Sequence, residues 1–253
     1  MWPYPKIIAH RGGGKLAPEN TLAGLRCGLA HGFRAVEFDV MLSQDGIPVV
    51  MHDPQLGRTV PGVGKVSQYS ADALCQMDAG SWFGAAFAHE TVPSLAQFID
   101  YCLMQRIWMN VEIKPVPGFE ADTGRVVAQM VQARFASEIG AGDLARVPLL
   151  SSFSPVALAA AQMAAPAVPR ALLVNRVAPM SGDWQAPLHA LGACALHVNH
   201  QHLTQQQVRA VRQAGVGLLC YTVNDAQRAR TLLQWGVDAI CTDRIDVIGP
   251  HFV

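Results

Sequence analysis

Two carboxylates and an imidazole occur within one short stretch, residues 37–53. Glu37 and Asp39 are two positions apart in an apolar run, a spacing that places both side chains on one face of a β-strand. Asp45-Gly46 separates this run from a second apolar run that leads to His52, and Asp-Gly in that position is a strong hairpin signal. A two-residue turn would place His52 opposite Asp39. The stretch therefore predicts the side chains of a hydrolytic metal site, with an ordinary half-buried hairpin as the alternative.

Further polar residues follow other short apolar runs and extend this chemistry. Glu112 would add a third carboxylate, and oxygen ligands without a thiolate suit Mg²⁺ or Ca²⁺ better than zinc. His10 and His52 could serve as general base and general acid near neutral pH. Arg11 and Lys114 could hold a phosphoryl group, or could neutralise the carboxylates.

The elements that must position these residues alternate between strand and helix. Setting aside the return arm of the hairpin, strand-like runs begin near residues 7, 35, 108, 147, 170, 193, 217 and 238. Helical patterns cover about 21–31, 94–106, 121–135, 155–165, 183–191, 204–214 and 225–235. This alternation predicts an α/β fold, a (β/α)8 TIM barrel. A doubly wound open sheet is the alternative, but no G-x-G-x-x-G follows a strand.

The irregular segment 54–91 contains one short helical pattern, at 70–75. We interpret it as a small insertion after the hairpin, packed over one mouth of the barrel, and expect a single domain over residues 1–253.

A barrel would bring the polar residues together, because the carboxyl ends of its strands share one rim. The residues placed there are His10, Arg11, Glu37, Asp39, Glu112, Lys114, Ser152, Asn199, Thr222, Asn224 and Asp243.

The composition limits the classes of partner. With 19 basic and 19 acidic residues in 253, the chain lacks the charge excess of a nucleic-acid-binding protein. We find no signal peptide and no 18-residue apolar stretch, so we expect a cytoplasmic protein that does not bind membranes. The six cysteines are scattered and form no C-x-x-C pair, which favours reduced thiols. A homodimer is the expectation for a soluble enzyme.

A series of short motifs covers the chain almost end to end. It comprises His10-Arg11-Gly12, Pro18-Glu19-Asn20-Thr21, Glu37-Phe38-Asp39, His52-Asp53, Glu112-Ile113-Lys114-Pro115, Ser151-Ser152-Phe153, Tyr221-Thr222-Val223-Asn224 and Thr242-Asp243. Through this series the chain resembles the glycerophosphodiester phosphodiesterase family. It is most similar to the cytoplasmic bacterial enzymes associated with glycerol-3-phosphate uptake. One departure is Tyr221, where relatives often carry Trp.

The resemblance implies hydrolysis of a glycerophosphodiester to sn-glycerol 3-phosphate and an alcohol, with one divalent cation, Mg²⁺ or Ca²⁺. It implies metal ligation by Glu37, Asp39 and Glu112, acid and base roles for His10 and His52, and phosphate binding by Arg11 and Lys114. We favour His10 as base and His52 as acid. The sequence leaves open the alcohol, and whether water or a neighbouring glycerol hydroxyl is the first nucleophile.

Two other functions compete with this one. The chain could act on a different phosphodiester, such as an inositol or sphingosyl headgroup, although a lipid-acting enzyme usually has an export signal or a basic docking surface. It could also be a non-catalytic phosphate binder, but both histidines and all three carboxylates are present.

Overall fold

A computed structural model describes residues 2–177 and 184–253, and within them eight parallel strands close into a barrel. The strands, with one antiparallel addition (β3), are β1 (Ile7–His10), β2 (Ala35–Leu42), β3 (Pro48–Val50), β4 (Trp108–Ile113), β5 (Leu149–Ser152), β6 (Arg170–Val174), β7 (Ala195–Asn199), β8 (Gly217–Tyr221) and β9 (Ala239–Thr242). Closure comes from β1, which pairs with β2 on one side and with β9 on the other. The prediction of a TIM barrel is confirmed.

Helices connect successive barrel strands. They are α1 (Leu22–Ala30), α2 (Ala71–Leu74), α3 (Leu95–Gln105), α4 (Glu120–Arg134), α5 (Ala136–Gly140), α6 (Pro155–Ala164), α7 (Ala186–Ala190), α8 (Gln205–Gln213) and α9 (Ala226–Trp235). Many of these helices have an N-cap residue whose side-chain oxygen accepts a hydrogen bond from a backbone N–H of the first turn. In α1, for example, the Thr21 hydroxyl accepts from the N–H of Gly24. The sequence pattern missed α5. The helix predicted over 183–191 is observed only as α7, and Asp183 lies outside the described residues.

The barrel interior is apolar at the amino ends of its strands. Ile8, Trp108, Leu149 and Leu219 are buried together there, with small alanines on neighbouring strands. Tyr4 stacks on Trp108 with ring centroids 4.5 Å apart and covers this end. Polar side chains are therefore left to the half of the barrel nearer the carboxyl ends.

The hairpin register differs by one residue from the prediction. Leu42 lies opposite Pro48, so the loop has three residues, 44–46, instead of two. Gly46 adopts φ 76°, and the Ser43 hydroxyl accepts from the N–H of Ile47 at 3.0 Å. A three-residue loop that ends in a left-handed residue is a common hairpin form, and here Ser43 stabilises it. The predicted pairing of His52 with Asp39 is wrong, because the residue bonded to the Asp39 carbonyl is Met51, through its N–H at 3.0 Å.

The segment 54–91 packs against this hairpin at the carboxyl end of the barrel. Leu56, Val66 and Leu74 are buried against Met41 and Val49 in a cluster of their own. The insertion after the hairpin is therefore observed, while its position over one mouth of the barrel and the single-domain organisation stay predictions. None of the helices in 2–177 and 184–253 has the length and hydropathy needed to span a bilayer.

Helices α4 and α6 approach closely at Gly124, where an added Cβ would lie 2.1 Å from the carbonyl oxygen of Ala157. We expect Gly124→Ala to lower the free energy of unfolding by about 1–3 kcal/mol, because the helices must separate to accept the methyl group. Urea denaturation measures the change. The control is Gly140→Ala in α5, where an added Cβ meets no atom within 4 Å. It should leave stability unchanged or raise it by up to about 1 kcal/mol, and equal losses in both variants would contradict the packing argument.

Candidate active site

Three buried carboxylates from two adjacent strands form the centre of the site. Glu37 and Asp39 alternate with apolar residues along β2, and the register pairs Asp39 with Glu112 of β4. One carboxylate oxygen from each residue lies within 4.8 Å of the other two. Oxygens bound to one Mg²⁺ or Ca²⁺ at about 2.0–2.6 Å cannot lie much further apart than this. The donor set and its spacing therefore fit one hard divalent cation.

Charge repulsion and burial set the protonation of this cluster. Burial, strengthened by the negative charge of Asp39, raises the pKa values of Glu37 and Glu112 above the ordinary range of a glutamate. For Asp39, burial is outweighed by the positive charges of Lys114 and Arg11, which hold its pKa below the usual range. Asp39 is thus the carboxylate that stays ionised most readily, and the two glutamates would lose their protons to solvent when a metal cation binds.

Two positively charged side chains contact the carboxylates. Lys114 Nζ lies 3.2 Å from Asp39 Oδ1 and 3.8 Å from Glu112 Oε1. Arg11 Nε lies 3.4 Å from Asp39 Oδ2, and its Nη1 donates to Glu19 Oε1 at 2.9 Å. The charge-neutralising role allowed by the sequence is therefore observed. Both side chains also line the central cavity, so their charged groups are accessible to an anionic substrate.

Each predicted catalytic histidine is bound to an aspartate through Nδ1. His10 Nδ1 lies 2.5 Å from Asp243 Oδ1, and His52 Nδ1 lies 2.6 Å from Asp53 Oδ1. A carboxylate at Nδ1 orients the ring and leaves Nε2 for proton transfer. The Nε2 atom of His10 is 3.7 Å from Glu37 Oε2, at the edge of the carboxylate cluster.

The two imidazoles differ in proton affinity. Burial lowers the pKa of His10, but the Asp243 hydrogen bond and the charge of Glu37 together raise it above its ordinary value of 6.5. For His52, burial lowers the pKa below 6.5, and the charges of Arg11 and Lys114 act in the same direction against that of Asp39. In the metal-free protein the His10 imidazole therefore holds its proton more readily than the His52 imidazole. The roles of His10 as base and His52 as acid stay predictions.

One cavity of about 210 Å³ brings the site together. It is lined by six of the seven predicted site residues: His10, Arg11, Glu37, His52, Glu112 and Lys114. Asp39 is fully buried beside them and contacts Lys114, which lines the cavity. Of the other residues expected at the rim, Thr222 lines the cavity. Ser152 instead donates to the carbonyl oxygen of Ile113, and Asn199 caps the turn that follows β7.

Supporting residues were recognised only in part from the sequence. The Asn20 amide donates to Asp39 Oδ2 at 2.9 Å, although the sequence analysis named Asn20 only as part of a motif. Asn224 donates to Asp243 Oδ2 at 2.8 Å, and both were placed at the rim but given no role. Arg58 bonds Glu19 and Asp53 from within the insertion, where no motif marks it.

The geometry agrees with comparisons to known proteins. The profile of the glycerophosphoryl diester phosphodiesterase family matches residues 10–247. The chain belongs to this family. It is 30% identical to the Bacillus subtilis (strain 168) protein YhdW over 97% of this chain and 98% of that protein. It is 29% identical to the glycerophosphodiester phosphodiesterase of Caldanaerobacter subterraneus subsp. tengcongensis, over 94% and 93% of the two chains.

Solved structures support the same assignment. An Oleispira antarctica phosphodiesterase in complex with the product sn-glycerol-3-phosphate matches with a TM-score of 0.81 and 36% identity, over 94% of this chain and 93% of that chain. The glycerophosphodiester phosphodiesterase of Agrobacterium tumefaciens str. C58 matches with a TM-score of 0.75 and 27% identity, over 96% and 98%. The family assignment and the barrel fold made from the sequence are confirmed.

The opposite shifts of the two imidazoles give a test in the metal-free protein. We expect His10 to titrate above pH 6.5 and His52 below it, because Asp243 and Glu37 favour the His10 cation while burial, Arg11 and Lys114 disfavour the His52 cation. Histidine side-chain NMR in the presence of a chelator measures both. In Asp243→Asn the pKa of His10 should fall, while that of His52 should not move. Titration of both rings at one pH would contradict this electrostatic account.

Proposed function

We propose that the chain hydrolyses glycerophosphodiesters to sn-glycerol 3-phosphate and an alcohol, with one divalent cation and two histidines. The observation that carries the proposal is that three kinds of group meet at one cavity. They are three carboxylates that offer only oxygen ligands, two imidazoles that are each bound to an aspartate, and the positively charged side chains of Arg11 and Lys114. Family membership supports phosphodiester hydrolysis, and the product in the Oleispira neighbour supports sn-glycerol 3-phosphate as the product here.

Glu37, Asp39 and Glu112 would hold the cation. When bound, a divalent cation at this position would stabilise the negative charge that develops on the phosphoryl oxygens. The oxygen ligands suit Mg²⁺ and Ca²⁺ alike, since the choice between them depends on coordination number and flexibility.

The remaining residues would bind the phosphate and move protons. Arg11 and Lys114 already lie against the carboxylates and would turn toward the phosphoryl oxygens. One imidazole would take a proton from the nucleophile at its Nε2, and the other would donate one from Nε2 to the leaving alkoxide. Asp243 and Asp53 would keep each ring in the tautomer that presents Nε2 and would stabilise the imidazolium form.

The first experiment measures release of sn-glycerol 3-phosphate from glycerophosphocholine, glycerophosphoethanolamine and glycerophosphoglycerol. We expect release that EDTA abolishes and that Mg²⁺ or Ca²⁺ restores, because the proposed metal ligands line the cavity in which the phosphate would bind. Absence of release from all three substrates with either metal would refute the proposed substrate class.

Matched histidine variants test the proton-transfer roles. His10→Ala and His52→Ala should each lower kcat by roughly 10²–10⁴ if each imidazole does acid or base work. The control is His202→Ala, which removes an exposed imidazole that lies outside the cavity. Near-normal turnover by the double variant His10→Ala/His52→Ala would exclude the two-histidine scheme.

Glu112→Gln separates metal binding from folding. Because burial raises the pKa of Glu112, the stability of the metal-free protein should decline as pH rises from the ordinary glutamate value through the raised one. Removing the ionisable group should therefore leave metal-free stability at pH 8 unchanged or higher.

Metal at a hundred times its Kd should stabilise the wild type by about 2.7 kcal/mol, and Glu112→Gln should lose this gain. Thermal denaturation with and without metal measures both. A variant that keeps the full gain would remove Glu112 from the ligand set.

A further inference from the structure

The floor of the cavity contains polar atoms that no other described residue satisfies. His197 of β7 is fully buried, and neither of its ring nitrogens has a hydrogen-bond partner among residues 2–177 and 184–253. Asn110 of β4 is 2% exposed, and its Oδ1 also lacks a partner within those residues. Both side chains line the same cavity as the catalytic candidates. The sequence had indicated only a structural role for His197.

Such atoms are unusual in a folded protein. More than about 90% of buried polar groups have a hydrogen-bond partner, and an unsatisfied one costs about 1–3 kcal/mol. Burial lowers the pKa of His197 to about 3, so its imidazole is neutral and offers one N–H donor and one nitrogen acceptor. Asn110 Oδ1 adds a second acceptor. The floor thus offers the complementary groups that a pair of hydroxyls requires, and it offers no charge.

The floor adjoins the carboxylate cluster. The strand register places Asn110 beside Glu37, and both side chains face the barrel interior. Leu173 and Leu219 flank His197 on the two neighbouring strands and supply apolar surface for a carbon chain. At the opposite, open end, Phe153 is 43% exposed and its ring meets Tyr221 edge to face, with centroids 5.9 Å apart.

This asymmetry suits a substrate that has one constant end and one variable end. A closed floor with fixed hydrogen-bonding groups can select a constant group, whereas an open mouth can accept alcohols of different sizes. In a glycerophosphodiester the constant group is the glycerol, which carries two free hydroxyls on a three-carbon chain. The phosphate would then lie above it, level with the carboxylates and the histidines.

We propose that His197 and Asn110 are specificity-determining residues that hydrogen-bond the glycerol hydroxyls at the closed end of the cavity. The inference rests on the proposed function and names the part of the substrate that these buried residues select. An ordered water shared by the two side chains is the competing occupant, and the experiment separates the two.

Binding without turnover gives the clearest test. The metal-loaded protein is titrated by calorimetry with sn-glycerol 3-phosphate and with n-propyl phosphate, which has the same carbon chain and phosphate but no hydroxyls. We expect the wild type to bind sn-glycerol 3-phosphate roughly 10- to 100-fold more tightly, because propyl phosphate leaves the floor unsatisfied. In His197→Leu the ratio of the two affinities, for sn-glycerol 3-phosphate over n-propyl phosphate, should fall to within about threefold of unity. The affinity for n-propyl phosphate should stay unchanged or improve.

Folding should not obscure the result. The His197 ring makes no hydrogen bond with residues 2–177 and 184–253, so His197→Leu should unfold at the same temperature as the wild type or a higher one. Asn110→Leu is the second variant, used in place of His197→Leu if that protein does not fold, and it should narrow the same ratio. His202→Leu is the control for the substitution, since this histidine is exposed and lies outside the cavity, and its ratio should equal that of the wild type.

The outcomes distinguish the two proposals. If the wild type hydrolyses glycerophosphocholine but binds both phosphates equally, or if both floor variants keep the full preference, the floor holds water and this inference fails while the proposed function stands. If the wild type hydrolyses none of the glycerophosphodiesters, the proposed function fails and this inference fails with it.

Discussion

Three carboxylates packed into the interior of a barrel are the constraint on which the rest of the site depends. Their mutual repulsion in a low-dielectric interior must be relieved by protons, by cations or by hydrogen bonds. All three kinds of relief are observed around Asp39. Lys114 and Arg11 lie against it, Asn20 donates to it, and the pKa values of the neighbouring glutamates rise. A divalent cation would meet the same need with one ion, so the site is poised to exchange protons for metal.

The insertion is tied to this chemistry through a chain of charge-assisted bonds. Arg58 bonds both Glu19 and Asp53. Glu19 in turn bonds Arg11, and Asp53 holds the Nδ1 atom of His52. One arginine outside the barrel strands therefore supports a phosphate-binding candidate and a catalytic candidate at once. The insertion thus helps to hold Arg11 and His52, which line the cavity. We therefore expect sequence changes in the insertion to influence turnover without contact with substrate.

The barrel interior is divided by polarity along its axis. Large apolar side chains fill the amino ends of the strands, with Tyr4 stacked across Trp108. His197 and Asn110 line one cavity together with the ionisable side chains. In the proposed binding mode, the neutral hydrogen-bonding groups would contact the hydroxyl-bearing end of the substrate and the charged groups would contact its phosphate. One cavity would then set both the binding depth and the reaction chemistry.

Local pattern determined the alternation of strands and helices and the closed barrel, because apolar periodicity and the shared rim of parallel strands follow from the order of residues along the chain. It also predicted seven site residues, six of which line one cavity. Only the tertiary structure decided the hairpin register, because the Ser43 side chain and the left-handed Gly46 select a loop that Asp-Gly alone does not specify. It also decided the surroundings of Arg58, Asn110 and His197. The groups near them belong to distant strands and loops, and no neighbouring residue in the sequence carries that information.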